Sequence, residues 1–238
     1  MKISADAILT TTSCLRISAR SEQRVFVVGD LDANLRELRT ALDRVEFSPK
    51  QDLLISLGDA IDRGEDSVAV LEYFQSIDAK MVLGNHEHIM LESILGKDEV
   101  AMKLWVQNGG DWHLSESEER VQSLCEWLLH QPLSIVLDYQ TYKIGFSHTL
   151  PIQWDWDSLP SEKSRVVSSL LWDRVRVKKR RHVSNVGVDF SIHGHNSTPV
   201  PFWISNTYHI DTSYYGRPTL VELKNVISKY ELLKKFYQ

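Results

Sequence analysis

Five apolar runs in this sequence each stop at a side chain that can bind a metal or move a proton. The run 24–28 leads into Gly29-Asp30, 52–57 into Gly58-Asp59, and 80–83 into Gly84-Asn85-His86. Further on, 142–147 leads to His148, and 188–192 to His193-Gly194-His195. Asp30, Asp59 and Asn85 lie 29 and 26 positions apart, about one strand–helix–strand repeat each. The segments between them carry apolar residues at helical spacing: Leu35, Leu38, Leu42 and Val45 in 33–46, then Val68, Leu71 and Phe74 in 65–77. The series predicts a parallel sheet covered by helices, an α/β fold. Ligands of such sheets sit beyond the carboxyl ends of the strands, so these polar groups should converge there. A glycine ahead of the polar residue suits a sharp exit from the strand and a close approach to a ligand.

The remaining pattern is coarser. Residues 86–130 look helical, with a capping box over Ser115-Glu116-Ser117-Glu118 ahead of Val121, Leu124 and Leu128. Strands are expected at 133–138, 142–147, 188–192, 207–210 and 218–223, with a hairpin turn at 138–141 and a helix over 162–171. No Gly/Ser-rich or Pro-rich linker divides the 238 residues, and 42% of them are hydrophobic. One domain over 1–238 with a large core is the expectation. The net charge of −5 argues against a nucleic-acid-coating protein. Cys14 and Cys125 form no CxxC, so neither a disulfide framework nor a thiolate zinc site is expected, and the usage fits a reducing cytoplasm. The apolar run Ala7-Ile8-Leu9 is too short for a signal peptide, and no stretch approaches the ~18 apolar residues of a membrane span.

Taken singly, an Asp or Asn after a strand is a common turn former, and a lone His is more often structural than a ligand. Five such ends in one chain are another matter. Carboxylates, an amide oxygen and imidazoles together make a mixed oxygen/nitrogen site for divalent transition metals. One carboxylate can bridge two ions ~3.5–4 Å apart, an arrangement that activates water for phosphoester cleavage.

The motifs themselves carry a resemblance. Gly29-Asp30-Leu31-Asp32, then Gly58-Asp59-Ala60-Ile61-Asp62-Arg63-Gly64, then Gly84-Asn85-His86-Glu87 resemble the three signature blocks of the calcineurin-like metallophosphoesterases, in the serine/threonine protein phosphatase branch. Trp105-Val106-Gln107-Asn108-Gly109-Gly110, Leu171-Trp172-Asp173-Arg174 and His209-Ile210-Asp211-Thr212 extend the likeness over roughly 24–223. The resemblance implies a single-domain α/β fold with a central β-sandwich flanked by helices. It implies two divalent ions, manganese first, with iron, zinc or magnesium as alternatives. Asp30, Asp32 and Asp59 would hold the first ion; Asp59, Asn85, His148 and His195 would hold the second. Arg63, Arg174 and Asn85 would bind the substrate phosphate, and His86, oriented by Asp62, would protonate the leaving oxygen. A metal-bridging hydroxide would attack phosphorus in line. The implied activity is phosphomonoester hydrolysis on a phosphorylated protein or small phosphoester, with no membrane or nucleic-acid partner.

The first block departs from the family, which reads Gly-Asp-x-His where this chain has Asp32. Asp32 is a working oxygen ligand that favours manganese or magnesium over zinc, or it weakens the first site and leaves a phosphate-binding protein, or it is an introduced change. The added negative charge should make the enzyme slower. The family branch of dinucleoside polyphosphate hydrolases is the other enzymatic alternative. Ser147-His148-Thr149 stands where the family usually has His-Ala, and Ser213 where glycine is usual. His193 competes with His195 as ligand; the strand-Gly-His order favours His195.

Other features have quieter readings. The basic run 174–182 is expected as a solvated loop, with electrostatic attraction of acidic substrates as its functional alternative. Most of the seven tryptophans, Trp154, Trp156 and Trp172 among them, should pack in the core. In the tail, Ile227, Tyr230, Leu233 and Phe236 stand near helical spacing and should pack on the body.

Overall fold

Strand β2 (Val25–Val28) is buried at every position, and so is most of β3 (Leu53–Ser56). Such continuous apolar strands are those of a sheet covered on both faces. The computed structural model, which describes residues 12–237, supplies both covers. β2 and β3 pair in parallel, β4 (Lys80–Met81) joins β3 in parallel, and β10 (Leu220–Glu222) closes the other side antiparallel to β2. Helix α1 (Leu35–Arg44) and helix α2 (Ser67–Ser76) follow β2 and β3. Their Leu35, Leu38, Leu42, Leu71 and Phe74 pack with Phe26, Val28, Leu54 and Met81 in one core.

The opposite face of this sheet meets a second sheet. It has six strands in the order β1-β5-β6-β7-β9-β8. The strands are β1 (Leu15–Ala19), β5 (Ser134–Tyr139), β6 (Tyr142–Ser147), β7 (Phe190–His193), β8 (Phe202–Ile204) and β9 (Thr207–His209). Val25, Val27, Ile55 and Leu57 pack against Ile135, Leu137, Ile144, Phe146 and Ile192 between the sheets. Alternation along β2, β3 and β5 thus divides their side chains between two cores, as a sandwich with outer helices requires. This is the α/β sandwich flanked by helices that the sequence pointed to. The parallel order of β2, β3 and β4 is also as expected.

Several local expectations change. Residues 86–130 form three helices and a 3-10 turn: α3 (Asn85–Ile94), α4 (Glu99–Gln107), the turn Gly110–Ser115, and α5 (Glu118–Leu128). Asp98 starts α4 by accepting from the N–H groups of Val100 and Ala101. The cap of α5 is Ser117, which accepts from Arg120 N, so the box over 115–118 does not form. The helix expected at 162–171 is α6 (Lys163–Val167), continued as a π turn over Ser168–Trp172. The basic run is no simple loop. It contains α7 (Val175–Lys179), and Arg176 is buried, donating to the carbonyls of Pro151, Ile152 and Val183. The last helix, α8 (Leu223–Tyr237), packs Leu223, Val226, Ile227 and Tyr230 on the sandwich core, as the tail reading expected; the Phe236 side chain and the run Ala7–Leu9 lie outside what is described. Trp154 and Trp156 are core residues, whereas Trp172 is 40% exposed. Among the described residues no helix is long and apolar enough to cross a membrane.

Candidate active site

The polar ends of β2, β3 and β4 meet those of β6 and β7 where the two sheets abut. The exit from β3 requires two glycines. Gly58 has φ +86°, and a Cβ there would run into the Gly84 backbone; a Cβ on Gly84 would run into the Asp59 carboxylate. Backbone therefore packs on backbone, and Asp59 (φ +48°) turns beside Asn85 and His86.

Glu87 fixes this turn. Its buried carboxylate accepts from the N–H groups of Asp59 (2.9 Å), Ala60 (2.8 Å) and Gly84 (2.9 Å). Burial, and then the charge of Asp59, raise its pKa to about 7 against the pull of these donors. The sequence offered Glu87 as part of a motif but gave it no task.

Asp59 Oδ1 accepts from His86 N at 3.0 Å and lies 3.4 Å from His148 Nε2. His148 Nδ1 donates to the Leu57 carbonyl at 2.8 Å, which leaves Nε2 facing Asp59 Oδ1 and, at 3.0 Å, Asn85 Oδ1. A proton or a metal cation must occupy that position, because a bare lone pair would face two oxygens. Burial is the largest influence on His148 and lowers its pKa, but Asp59, the Leu57 carbonyl and Glu87 together outweigh it, and the net direction is up. Asp59 goes the other way: burial pushes it up, and His148 and then His86 overcome burial to hold it below the usual range.

His195 lies next to this group. Its ring centroid is 4.7 Å from that of His148, and burial first, then the His148 charge, push it down to about 2. Neither ring nitrogen has a hydrogen-bond partner; the Trp172 carbonyl, the least of the influences on its pKa, falls outside hydrogen-bond geometry. Asp59, His148 and His195 each offer one ligand atom, all within 4.8 Å of one another. A neutral buried imidazole with both nitrogens unpartnered, beside a carboxylate, is the condition a divalent cation satisfies.

More carboxylate surrounds the triad. Asp30 accepts from His195 N at 3.0 Å; burial, then Asp211 and Asp59, raise its pKa well above the usual range. Asp32 (φ +47°) accepts at 2.7 Å from an arm of the Arg63 guanidinium. Four carboxylates, Asp30, Asp32, Asp59 and Asp211, line one cavity of about 400 Å³ with Arg63, Arg174, His195, Ser197, Ser213 and Tyr214. That concentration of negative charge also suits cations. A larger cavity of about 680 Å³ lies between 182–184 and α8, but it has no such cluster. The sequence pattern does not mark Asp211 as a site residue, although His209-Ile210-Asp211-Thr212 carries part of the resemblance.

A histidine–carboxylate pair stands beside the cavity. His86 Nδ1 is 2.7 Å from Asp62 Oδ2, and its Nε2 accepts from the other Arg63 arm at 2.7 Å. The buried Asp62 carboxylate also accepts from the indoles of Trp105 (3.0 Å) and Trp112 (2.7 Å). Nothing in the sequence pattern marks Trp112, and only the Trp105–Gly110 stretch of the resemblance signals Trp105. Arg174, at the start of α7, donates to the His195 carbonyl at 3.0 Å and lines the cavity. His193 stays outside: it pairs with Ser147 and Ser191 hydroxyls in the core, and burial holds its pKa well below the usual value.

Comparisons with known proteins agree with this geometry. Residues 23–199 match the family model described as calcineurin-like phosphoesterase. Serine/threonine-protein phosphatase 1 of Salmonella typhimurium (strain LT2) is 31% identical over 217 residues, covering 88% of this chain and 96% of the relative. A symmetrical bis(5'-nucleosyl)-tetraphosphatase of Shewanella sp. (strain W3-18-1) is 34% identical over 153 residues, 62% of this chain and 52% of that protein. A crystal structure assigned as a diadenosine tetraphosphatase superposes with a TM-score of 0.58 at 18% identity, covering 87% of this chain and 93% of its own.

Proposed function

Because the chain belongs to the calcineurin-like phosphoesterase family, we propose that it is a metal-dependent phosphomonoesterase whose substrates are phosphorylated proteins. The observation that carries the reading is one cavity bordered by the Asp59–His148–His195 triad, two arginines and the His86–Asp62 pair. We assign Asp30, Asp32 and Asp59 to a first ion, and Asp59, Asn85, His148 and His195 to a second. Manganese is the first candidate, since Asp32 adds a hard oxygen donor. Divalent ions held there supply Lewis acidity toward a phosphoryl oxygen and toward water.

The chain's own residues do the rest. Arg63, from the turn after β3, and Arg174, from the segment between β6 and β7, bind non-bridging phosphate oxygens, for which a guanidinium fork is suited, with the Asn85 amide as a further donor. Before substrate arrives, Arg63 spans Asp32 and His86 Nε2. A phosphate that draws Arg63 onto its own oxygens releases Nε2. His86 can then carry a proton there while Asp62 holds Nδ1. Water adds to phosphorus opposite the ester oxygen and the P–O bond breaks; the leaving oxygen takes the His86 proton, one water proton stays on the phosphate product, and the other passes through solvent to restore His86. The two indoles on Asp62 keep it oriented through this step.

Release of p-nitrophenol from p-nitrophenyl phosphate with added manganese, and of phosphate from phosphopeptides, tests the proposal. Phosphopeptide turnover that falls at least hundredfold in His86→Asn is expected. Cleavage of diadenosine tetraphosphate with none of phosphopeptides would move the assignment to dinucleoside polyphosphates. Metal and phosphopeptide binding without turnover under manganese, magnesium, iron or zinc would make the protein a binder.

A further inference from the structure

Tyr214 lines the same cavity as Arg63 and Arg174, yet it is 83% exposed. Neither metal binding nor phosphate binding has a use for a bare aromatic ring. Its exposure is not that of a loose tip. The Tyr214 N–H donates to Ser197 Oγ at 3.2 Å, the Ser213 N–H to Asp211 Oδ1 at 2.9 Å, and the Tyr215 N–H to the Thr212 carbonyl at 3.0 Å. Thr212 Oγ1 in turn donates to the Arg217 carbonyl at 2.7 Å. Ser213, at the position where the sequence departs from its family, opens this 3-10 turn. Tyr215 meets the Tyr214 ring edge-on, 5.3 Å between centroids at 84°. The ring is thus backed by a second ring on a backbone already ordered, so little entropy remains to be lost when it takes a partner.

We propose that Tyr214 is a specificity-determining platform for the aromatic group of an aryl phosphomonoester, the side chain of phosphotyrosine. This rests on the phosphomonoesterase reading and names the substrate class of that site. A phosphate on Arg63 and Arg174 brings its ester substituent into the remainder of a cavity one wall of which is Tyr214. A phenyl ring attached directly to the phosphate oxygen can stack there, or meet the ring edge-to-face. A serine methylene offers no such surface.

Matched phosphotyrosine and phosphoserine peptides of one flanking sequence provide the test, assayed on the wild type, Tyr214→Ala and Tyr214→Phe. A phenol leaves more readily than an alkoxide, so the wild-type preference alone decides nothing. The informative quantity is the ratio of kcat/KM values, aryl over alkyl. Tyr214→Ala should lower that ratio about tenfold, equivalent to about 1.4 kcal/mol, mainly through KM for the aryl peptide. Tyr214→Phe should keep it. Equal losses on both peptides, no loss on either, or a loss confined to diadenosine tetraphosphate would overturn the proposal. If no ester is turned over, the phosphomonoesterase reading fails on its own. Equilibrium binding of free phosphotyrosine against phosphoserine to the wild type and Tyr214→Ala then decides the platform, an unchanged binding ratio overturning it.

Discussion

Arg63 and Asp32 are joined at 2.7 Å, and the same guanidinium reaches His86 Nε2 at 2.7 Å. The residue at which the first block departs from its family is therefore tied to the group that should bind phosphate. With side chains 47% and 22% exposed, the pair is worth at most about 1 kcal/mol. It is a competition more than a brace: a cation that takes Asp32 must take it from Arg63.

Asp32→His removes that competition and supplies an imidazole donor. At limiting manganese the variant should hold more metal per chain than the parent and hydrolyse p-nitrophenyl phosphate severalfold faster. Metal counted by plasma emission beside the initial rate is the check. Equal occupancy and equal rate in both would mean that Asp32 already serves as a full ligand.

Asp62→Asn disturbs the proposed proton donor, His86, while leaving an oxygen for the two indoles. An amide cannot match a carboxylate in fixing the His86 tautomer or stabilising its charged form. Loss of a general acid costs about 10²–10⁴ in rate where the leaving group needs the proton. The expected signature is a kcat on phosphoserine peptide reduced at least hundredfold, with a much smaller loss on p-nitrophenyl phosphate, whose leaving group departs as an anion. Equal losses on the two substrates would remove proton transfer from the role of this pair.

What was legible in the sequence follows from what was local. The inner strands were readable because a strand buried on both faces is apolar at every position, and β2 is. Strand-end residues were readable because glycines mark where backbones pass close, as Gly58 and Gly84 do. β1 escaped because only alternate residues of Leu15–Ala19 turn inward, leaving Arg16 and Ser18 exposed in a short, half-polar run. Trp112 and Asp211 reach the site from turns whose placement depends on the packed sandwich rather than on spacing. Arg176 hid in a run of cations. Its burial depends on three carbonyls from 151–183 that no pattern in 174–182 announces.

Arg176→Met keeps much of the buried volume and removes the donors from those three carbonyls. Unsatisfied buried acceptors cost about 1–3 kcal/mol each when nothing replaces the donor, so a total loss of about 2–4 kcal/mol is expected after partial rehydration. Arg174 is two residues away, and Thr149 Oγ1 holds the Asp173 carbonyl, just ahead of Arg174, at 2.7 Å. The variant should therefore show both a lower urea midpoint and a raised KM for phosphopeptide with kcat little changed. A KM equal to that of the parent would separate the buried guanidinium from the site.

His209 predicts how stability responds to acid. Its ring is buried and stacked on Phe202 at 5.2 Å; Nε2 meets Thr207 Oγ1 at 3.0 Å and Nδ1 has no partner. Burial first, then the charges of Arg176 and Arg180, push its pKa down to about 3; the His193 ring, 5.4 Å away, is held neutral by the same burial. An unfolded histidine titrates near 6.5. Between about 6.5 and 3 the unfolded chain thus binds a proton that the native state refuses, so this contribution is whole above 6.5 and is lost as pH falls through that window. Carboxylates add their own acid dependence, so the variant His209→Gln serves as the comparison. Urea midpoints at pH 7.5, 5.5 and 4.5 should fall more steeply in the parent than in the variant. His193 continues to act in both, which makes the variant's slope shallower but not flat. A difference between the two proteins that stays constant from pH 7.5 to 4.5 would mean that the buried ring accepts its proton without penalty.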